Sequence, residues 1–288
     1  IIMTAEIVDS GRFSAWLTLP REPEWTSKSL TYILAANIAW FLLFFVGSHI
    51  HPLPASLTKN MKKEDLFHIR YRLICCYHGM SALFMAFIWH LIDNDRSCSK
   101  RITDFELLML VNTSSHLLWD TIFMKYYDFL DFGNLMHHMI GIIGYNFTVF
   151  SQHNFNMLVI NLLPGEMTNA SMHLRDILRR LGWRYTLAYY ANEYYYSFAY
   201  MFCRSWWLPS AYYWIYPCIT VNPTVFIMYP LHCVQSWFYV SKLPKMVKVR
   251  MWEQKKLKDS GLKLEWFTPI APKKAEEVGI KNYEAYKM

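Results

Sequence analysis

Charged residues are scarce in this 288-residue chain. Asp, Glu, Lys and Arg together make up 18% of it, whereas an ordinary soluble domain has about 25%. Hydrophobic residues make up 54%, and aromatic residues, with 12 Trp and 20 Tyr, make up 18%. Trp and Tyr are typical of lipid–water interfaces, where one end of the side chain is apolar and the other is hydrated. This composition argues against an ordinary soluble domain and indicates a membrane protein.

Cysteine motifs are also missing. The chain has six cysteines, with no CxxC pair and no zinc-finger spacing, and five of them lie in or beside apolar runs. Cysteine in such surroundings is usually a small buried residue with an inert thiol. We therefore expect no disulfide framework, and no metal site is expected.

The net charge of +7 does not indicate nucleic-acid binding. The basic residues concentrate between the apolar runs and in the C-terminal part of the chain, a pattern typical of membrane topology and of contact with anionic headgroups. We therefore expect membrane lipids as partners and no nucleic acid.

Seven apolar runs are long enough to cross a bilayer, which takes about 20 residues. We therefore predict an all-α membrane protein with about seven transmembrane helices. The fifth run contains Pro164–Gly165, where a proline kink is favoured over a functional break of the helix. The runs cover residues 30–50, 73–92, 106–126, 134–151, 155–174, 186–207 and 219–240.

The distribution of basic residues predicts the orientation. The 51–72 and 175–185 loops and the start of the tail are rich in Lys and Arg, and all three lie on one side of a seven-helix arrangement. The positive-inside rule then places the C-terminus on the cytoplasmic or matrix side. The mitochondrial inner membrane and the endoplasmic reticulum both fit, and the sequence contains no address that separates them.

Four regions follow from these runs. Residues 1–29 are a polar N-terminal segment, and residues 30–72 hold the first transmembrane helix and a basic loop. Residues 73–251 form a six-helix bundle, and residues 252–288 form a polar tail. The tail is too polar to bury a core of its own, so we expect other membrane-protein subunits to hold it.

Polar side chains recur at helical spacing within the apolar runs. Residues three or four positions apart share one face of a helix, and ionisable groups at membrane depth are costly unless they face the interior of a bundle. The sequence therefore predicts a polar interior that binds lipid, although simple interhelical hydrogen bonding would explain some of these residues. The expected lining residues are His78, His116, Asn169, His173, Glu193, Tyr196, Arg204 and His232. Arg204 lies near the end of a run, so it has a second explanation, in which its side chain extends to the headgroups.

Chemistry, if the protein is an enzyme, would rest on His137, His138, Glu166 and Asp120. An acidic group near mid-membrane needs a partner or a proton, and histidine suits proton transfer near neutral pH. Adjacent residues of a helix point about 100° apart, so one histidine would act on the substrate while the other orients the substrate or contacts a neighbouring helix. Their spacing argues against metal binding, for which a separation of four residues is typical.

Short motifs along residues 78–251 resemble the TLC-domain family, whose multispanning members include the ceramide synthases. They are His78–Gly79, Asp120 at the end of SSHLLWD, His137–His138, Glu166-Met-Thr168 followed by Arg175, and Arg204. The resemblance implies a TLC-type six-helix bundle after the first transmembrane helix. Within this family, the chain resembles the branch outside the ceramide synthases more closely than the ceramide synthases themselves.

The fuller ceramide-synthase signature is altered in this chain. When the signature is aligned on Glu166, Asn169 replaces its second Asp, His173 replaces its Glu, and Asp176 replaces its Lys. We therefore expect a non-catalytic accessory subunit of a larger membrane complex, such as a respiratory assembly, with bound phospholipid and no other cofactor. The alternative is a lipid acyltransferase that uses acyl-CoA and His137 or His138 as base or acyl carrier. A transporter or channel is less favoured, because no inverted repeat or charge ring is evident.

Overall fold

The computed structural model describes residues 24–55, 59, 61–93, 95, 97, 100–153, 155–215 and 223–280. Within these ranges the chain is helical and forms no strand, so the predicted all-α class is confirmed. Most of the predicted N-terminal segment, the beginning of the seventh run and the last residues of the tail lie outside the described residues.

Eleven helices are named here in chain order. They are α1 Trp25–Ile50, α2 Lys63–Ile92, α3 Asp104–Tyr126, α4 Phe132–Ser151, α5 Phe155–Glu166, α6 Asn169–Arg180, α7 Leu187–Phe202, α8 Leu208–Ile215, α9 Pro223–Val240, α10 Leu243–Asp259 and α11 Pro272–Glu277. A π-helical turn, Cys203–Trp207, joins α7 directly to α8.

Two of the helices, α1 and α2, are long and apolar enough to cross a membrane. They contain 26 and 30 residues, or about 39 and 45 Å at 1.5 Å per residue, against a hydrocarbon core of about 30 Å. Large apolar side chains also face outward on other helices, for example Phe198 on α7 and Phe238 on α9, which are 59% and 60% exposed. Soluble proteins rarely expose much contiguous apolar surface, so these features support association with a membrane.

The fifth predicted run differs from a single kinked helix. The chain turns at Met167–Thr168, so α5 and α6 are separate helices of 12 residues each. Each is about 18 Å long and too short to cross the hydrocarbon core alone. Pro164 lies inside α5, where it removes one backbone donor and weakens the last turn before the break.

Side-chain caps explain where three of the helices begin. At α3, Thr103 and Glu106 form a capping box in which each side chain accepts a hydrogen bond from the other residue's backbone N–H. Asp131 caps α4 by accepting from the N–H of Asn134, and Thr186 caps α7 by accepting from the N–H of Tyr189. Each cap satisfies a donor that the first turn leaves without an intrahelical partner.

Two apolar clusters hold the first helices together. One contains Trp25, Trp89, Leu110 and Val149 and joins α1 to α4. The other contains Phe44, Tyr71 and Phe123, together with further side chains of α1, α2 and α3. The polar residues of α2 and α3 lie between these clusters, so apolar packing fixes their positions.

The tail packs on the bundle, which the sequence did not predict. Leu257 of α10, Ala275 of α11 and Ile280 are all fully buried, and they pack with Tyr185, just before α7. The few apolar residues of its described part thus share a cluster with Tyr185 and form no separate core. The expectation that other subunits hold the tail stays a prediction.

Candidate functional site

Two stacked imidazoles lie at the centre of the site. His78 on α2 and His116 on α3 have ring centroids 3.7 Å apart and planes inclined by only 8°. Trp40 of α1 meets both rings edge-on, at centroid distances of 5.5 Å and 4.8 Å. Both histidines are buried, and none of their four ring nitrogens forms a hydrogen bond with a described residue. Buried polar groups normally have such partners, so these nitrogens could accept or donate to a ligand.

Asp120, one helical turn beyond His116, connects α3 to α2 and α4. Its Oδ1 accepts a hydrogen bond from the Tyr71 hydroxyl at 2.7 Å and from the Cys75 thiol at 4.0 Å. Its Oδ2 lies 3.6 Å from Nε2 of His138. The other ring nitrogen of His138 is 2.7 Å from the Thr121 hydroxyl, which fixes the orientation of the imidazole.

Glu166 joins the same group of side chains from the end of α5. Its Oε1 lies 3.8 Å from Nε2 of His78, and its Oε2 accepts a hydrogen bond from the Asn169 side chain at 2.9 Å. Gly79 makes this approach possible, because a Cβ at that position would lie 3.3 Å from Cβ of Asn169 and 3.6 Å from Oε2 of Glu166. His78 therefore supplies an imidazole to the site, and Gly79 leaves room for α6.

His173 lies on α6 one turn beyond Asn169 and belongs to an ionic group with Arg72 and Asp176. Its Nδ1 is 3.4 Å from Nη1 of Arg72, and Nε of Arg72 is 3.1 Å from Oδ2 of Asp176. Partial burial alone would raise the pKa of Asp176, but the guanidinium groups of Arg72, Arg179 and Arg180 outweigh it and hold the pKa at about 2. Asp176 therefore stays ionised and keeps α6 attached to α2.

Arg204 lies inside the bundle, in the π-helical turn after α7. Its side chain is 97% buried, so the explanation that it extends to the headgroups is wrong. Nη2 donates to the backbone carbonyl of Gly165 at 3.2 Å, and Nη1 contacts Nε2 of His232. The ring of His137 packs edge-on against His232 at 5.2 Å. Nε has no hydrogen-bond partner, and no carboxylate among the described residues forms an ion pair with Arg204.

Glu193 and Tyr196 lie apart from this centre. Glu193 accepts hydrogen bonds from Nε of Arg175 at 2.8 Å and from Nε of Arg250 at 2.5 Å, so it attaches α10 to α6 and α7. Tyr196 packs against Tyr200, with ring centroids 5.6 Å apart. Neither side chain contacts the stacked histidines in the described contacts.

The structure thus divides the residues predicted from the sequence into three groups and leaves Tyr196, which packs on Tyr200, outside them. His78, His116, Asp120, His138, Glu166 and Asn169 form one connected cluster, called the central cluster below. His137, Arg204 and His232 form a second group, which touches the first through the Gly165–Glu166 segment. His173 and Glu193 belong to ionic contacts of α6. Tyr71, Cys75 and Arg72 also contact these groups but were not predicted as site residues, although Cys75 and His78 share one face of α2 at a spacing of three.

Comparison with known proteins gives no relative. No family model matches the chain, and neither a curated protein nor a solved structure is significantly similar to it. Membership of the TLC-domain family therefore stays a prediction.

Proposed function

We propose that this chain is a TLC-type membrane protein of seven spans that binds a phospholipid in its polar interior and does no chemistry. It would act as an accessory subunit of a larger complex in the mitochondrial inner membrane or the endoplasmic reticulum. Four of the motif residues that suggest the family, His78, Asp120, His138 and Glu166, lie together in the central cluster, which supports the family assignment. The observation that supports lipid binding is the environment of Arg204.

A buried guanidinium without a carboxylate is unfavourable, because desolvation of one ion costs several kcal/mol in a real protein. Among the described residues, the partners of Arg204 are a carbonyl, an imidazole and the Tyr200 ring, whose centroid lies 5.3 Å from the guanidinium carbon. Guanidinium binds phosphate with two parallel hydrogen bonds. A phospholipid phosphate beside Arg204 and His232 would supply the missing negative charge.

The lipid content of the purified protein tests this proposal. We expect wild type, purified in mild detergent, to retain about one anionic phospholipid per chain, measured by native mass spectrometry. Arg204→Gln should lose the bound phospholipid. Arg204→Lys should retain it more weakly, because lysine keeps the charge but lacks the two parallel N–H donors of a guanidinium. Arg175→Gln is the matched control, since the Arg175 guanidinium is already paired with Glu193. Equal lipid retention by Arg204→Gln and wild type would contradict the proposal.

The tail supports the role as an accessory subunit. Trp266 and Phe267, after α10, are 57% and 66% exposed, and exposed aromatic residues are enriched at protein interfaces. We expect mild-detergent purification to yield a fixed set of partner chains, and deletion of residues 260–288 to release them. This deletion leaves the ion pairs of α10 in place, unlike one that begins at Glu253. A protein that purifies alone and turns over acyl-CoA would contradict the accessory role.

One observation favours the alternative, a lipid acyltransferase. His138 lies between a carboxylate and a hydroxyl, Asp120 and Thr121, an arrangement that orients a general base. An acyltransferase should lose turnover of acyl-CoA when His138 or His137 is replaced by Ala, while the amount of protein stays the same. A non-catalytic subunit should assemble normally with either substitution.

A further inference from the structure

Side chains of three types that can bind a metal, a thiol, an imidazole and a carboxylate, meet at His116, one of the two stacked histidines. Cys75 lies on α2, and His116 and Asp120 lie four residues apart on α3, so the last two share a helix face. One ligand atom of each residue lies within 4.8 Å of the others. The three side chains are 1%, 5% and 6% exposed, respectively.

The spacing of these atoms is close to that of a coordination site. Zinc binds sulfur at about 2.3 Å and nitrogen or oxygen at about 2.0–2.2 Å, which in a tetrahedron places the ligand atoms about 3.3–3.6 Å apart. The Cys75 sulfur is 4.0 Å from Oδ1 of Asp120. Small rotations of the side chains would therefore close the site around an ion.

His116 provides an independent observation that points to a ligand. Its ring is 95% buried, and neither ring nitrogen has a hydrogen-bond partner among the described residues. A buried imidazole without a partner is unfavourable. Coordination of a metal ion would give one nitrogen of His116 a partner. The Cys75 thiolate and the Asp120 carboxylate would occupy two further coordination positions of the ion.

The charge of such a site also suits the interior of a membrane bundle. A thiolate and a carboxylate carry two negative charges, which a divalent cation neutralises. Binding breaks the S–H bond of Cys75, forms a metal–sulfur bond and releases one proton to the buffer. Tyr71, which donates to Asp120, and His138, on its other oxygen, would orient the carboxylate as outer partners.

We propose that Cys75, His116 and Asp120 bind a divalent transition metal, best matched by zinc, with one coordination position left open. Mixed sulfur, nitrogen and oxygen donors suit zinc, and three protein ligands with a free fourth position are typical of zinc sites that bind water or substrate. This site does not depend on the phosphate proposed beside Arg204, which involves none of the three residues.

Metal analysis of the full chain in detergent tests the site. After chelation and re-addition of zinc alone, we expect about one zinc ion per chain. Cys75→Ser should weaken zinc binding at least about 100-fold, because loss of even an outer partner costs 10–100-fold. Cys76→Ser is the matched control, since that neighbouring thiol faces the carbonyl of Ala170 on α6 at 3.6 Å.

Cobalt gives a readout that does not depend on a variant folding. Cobalt added to the apo wild type should produce the near-ultraviolet charge-transfer band of a cobalt–thiolate bond. The band should persist in Cys76→Ser and disappear in Cys75→Ser. Absence of the band in wild type, or equal zinc binding by wild type and Cys75→Ser, would overturn the proposal.

Discussion

Gly79 has no side chain, and this allows α2 and α6 to approach each other closely at the site. A Cβ there would lie 3.3 Å from Cβ of Asn169 and 3.4 Å from the backbone nitrogen of Ala170, so α2 and α6 would have to move apart by a few tenths of an ångström. We expect Gly79→Ala to destabilise the protein by about 1–3 kcal/mol and to weaken the contact between His78 and Glu166. Thermal unfolding in detergent would measure the loss.

Gly144 on α4 is the matched control for this substitution. A Cβ there would meet no described atom outside its own helix backbone within 4 Å, so Gly144→Ala should be neutral or stabilise the helix by up to about 1 kcal/mol. If both substitutions have the same effect, close packing at Gly79 is not what limits stability.

The lowered pKa of Asp176 predicts how the free energy of unfolding changes at acidic pH. Its pKa is about 2, whereas the ordinary value is 3.8, so its contribution is present above pH 4 and is lost as the pH falls towards 2. At neutral pH this contribution is about 2 kcal/mol. Asp176→Asn should therefore lower the free energy of unfolding at pH 7 but have little effect at pH 2. A difference that stays constant from pH 7 to pH 2 would show that the charge is not responsible.

At the scale of elements, α10 is attached to the bundle by buried charges. Glu253 is fully buried, and it pairs with Nη2 of Arg184 at 3.0 Å and with Nη1 of Arg250 at 2.8 Å. Charge pairing with Glu193 raises the pKa of Arg250, although burial opposes it. These contacts connect the tail to the loop before α7 and to α7 itself.

Removal of one partner from this network should be costly. We expect Glu253→Gln to destabilise the protein by about 3–5 kcal/mol, because the buried guanidinium groups of Arg184 and Arg250 each lose one carboxylate partner. The exposed Glu265→Gln should change stability by less than about 0.5 kcal/mol. Limited proteolysis should show α10 and α11 detaching first in Glu253→Gln. A tail that resists proteolysis equally in both variants would contradict this account.

At the scale of the whole molecule, the two ends of the described chain test the proposed topology. Seven spans place Glu24 and Ser260 on opposite sides of the membrane. Both are exposed, so Glu24→Cys and Ser260→Cys can be labelled in sealed vesicles with a membrane-impermeant maleimide. We expect labelling from opposite sides, with Ser260 on the cytoplasmic or matrix side, after subtraction of the unmodified chain's background. Labelling of both from the same side would exclude an odd number of spans.

Much of the central cluster could be predicted from helical spacing and from the cost of ionisable residues in apolar runs. His78, His116, Asp120, His138 and Glu166 were all identified in this way. Glu193 met the same criteria, yet it pairs with Arg250, 57 residues away. Spacing shows which residues share a helix face, but it does not show which helix that face meets.

The sequence alone determined the helical class and the polar interior, because hydrophobic periodicity and the cost of burying charge act within each segment. The tertiary structure alone decided that Cys75 and Tyr71 join Asp120, that Arg204 points inward without a carboxylate from the described part of the chain, and that the tail docks on Tyr185. These outcomes depend on the rotation and distance of helices relative to one another. Packing between segments far apart in the chain sets those quantities.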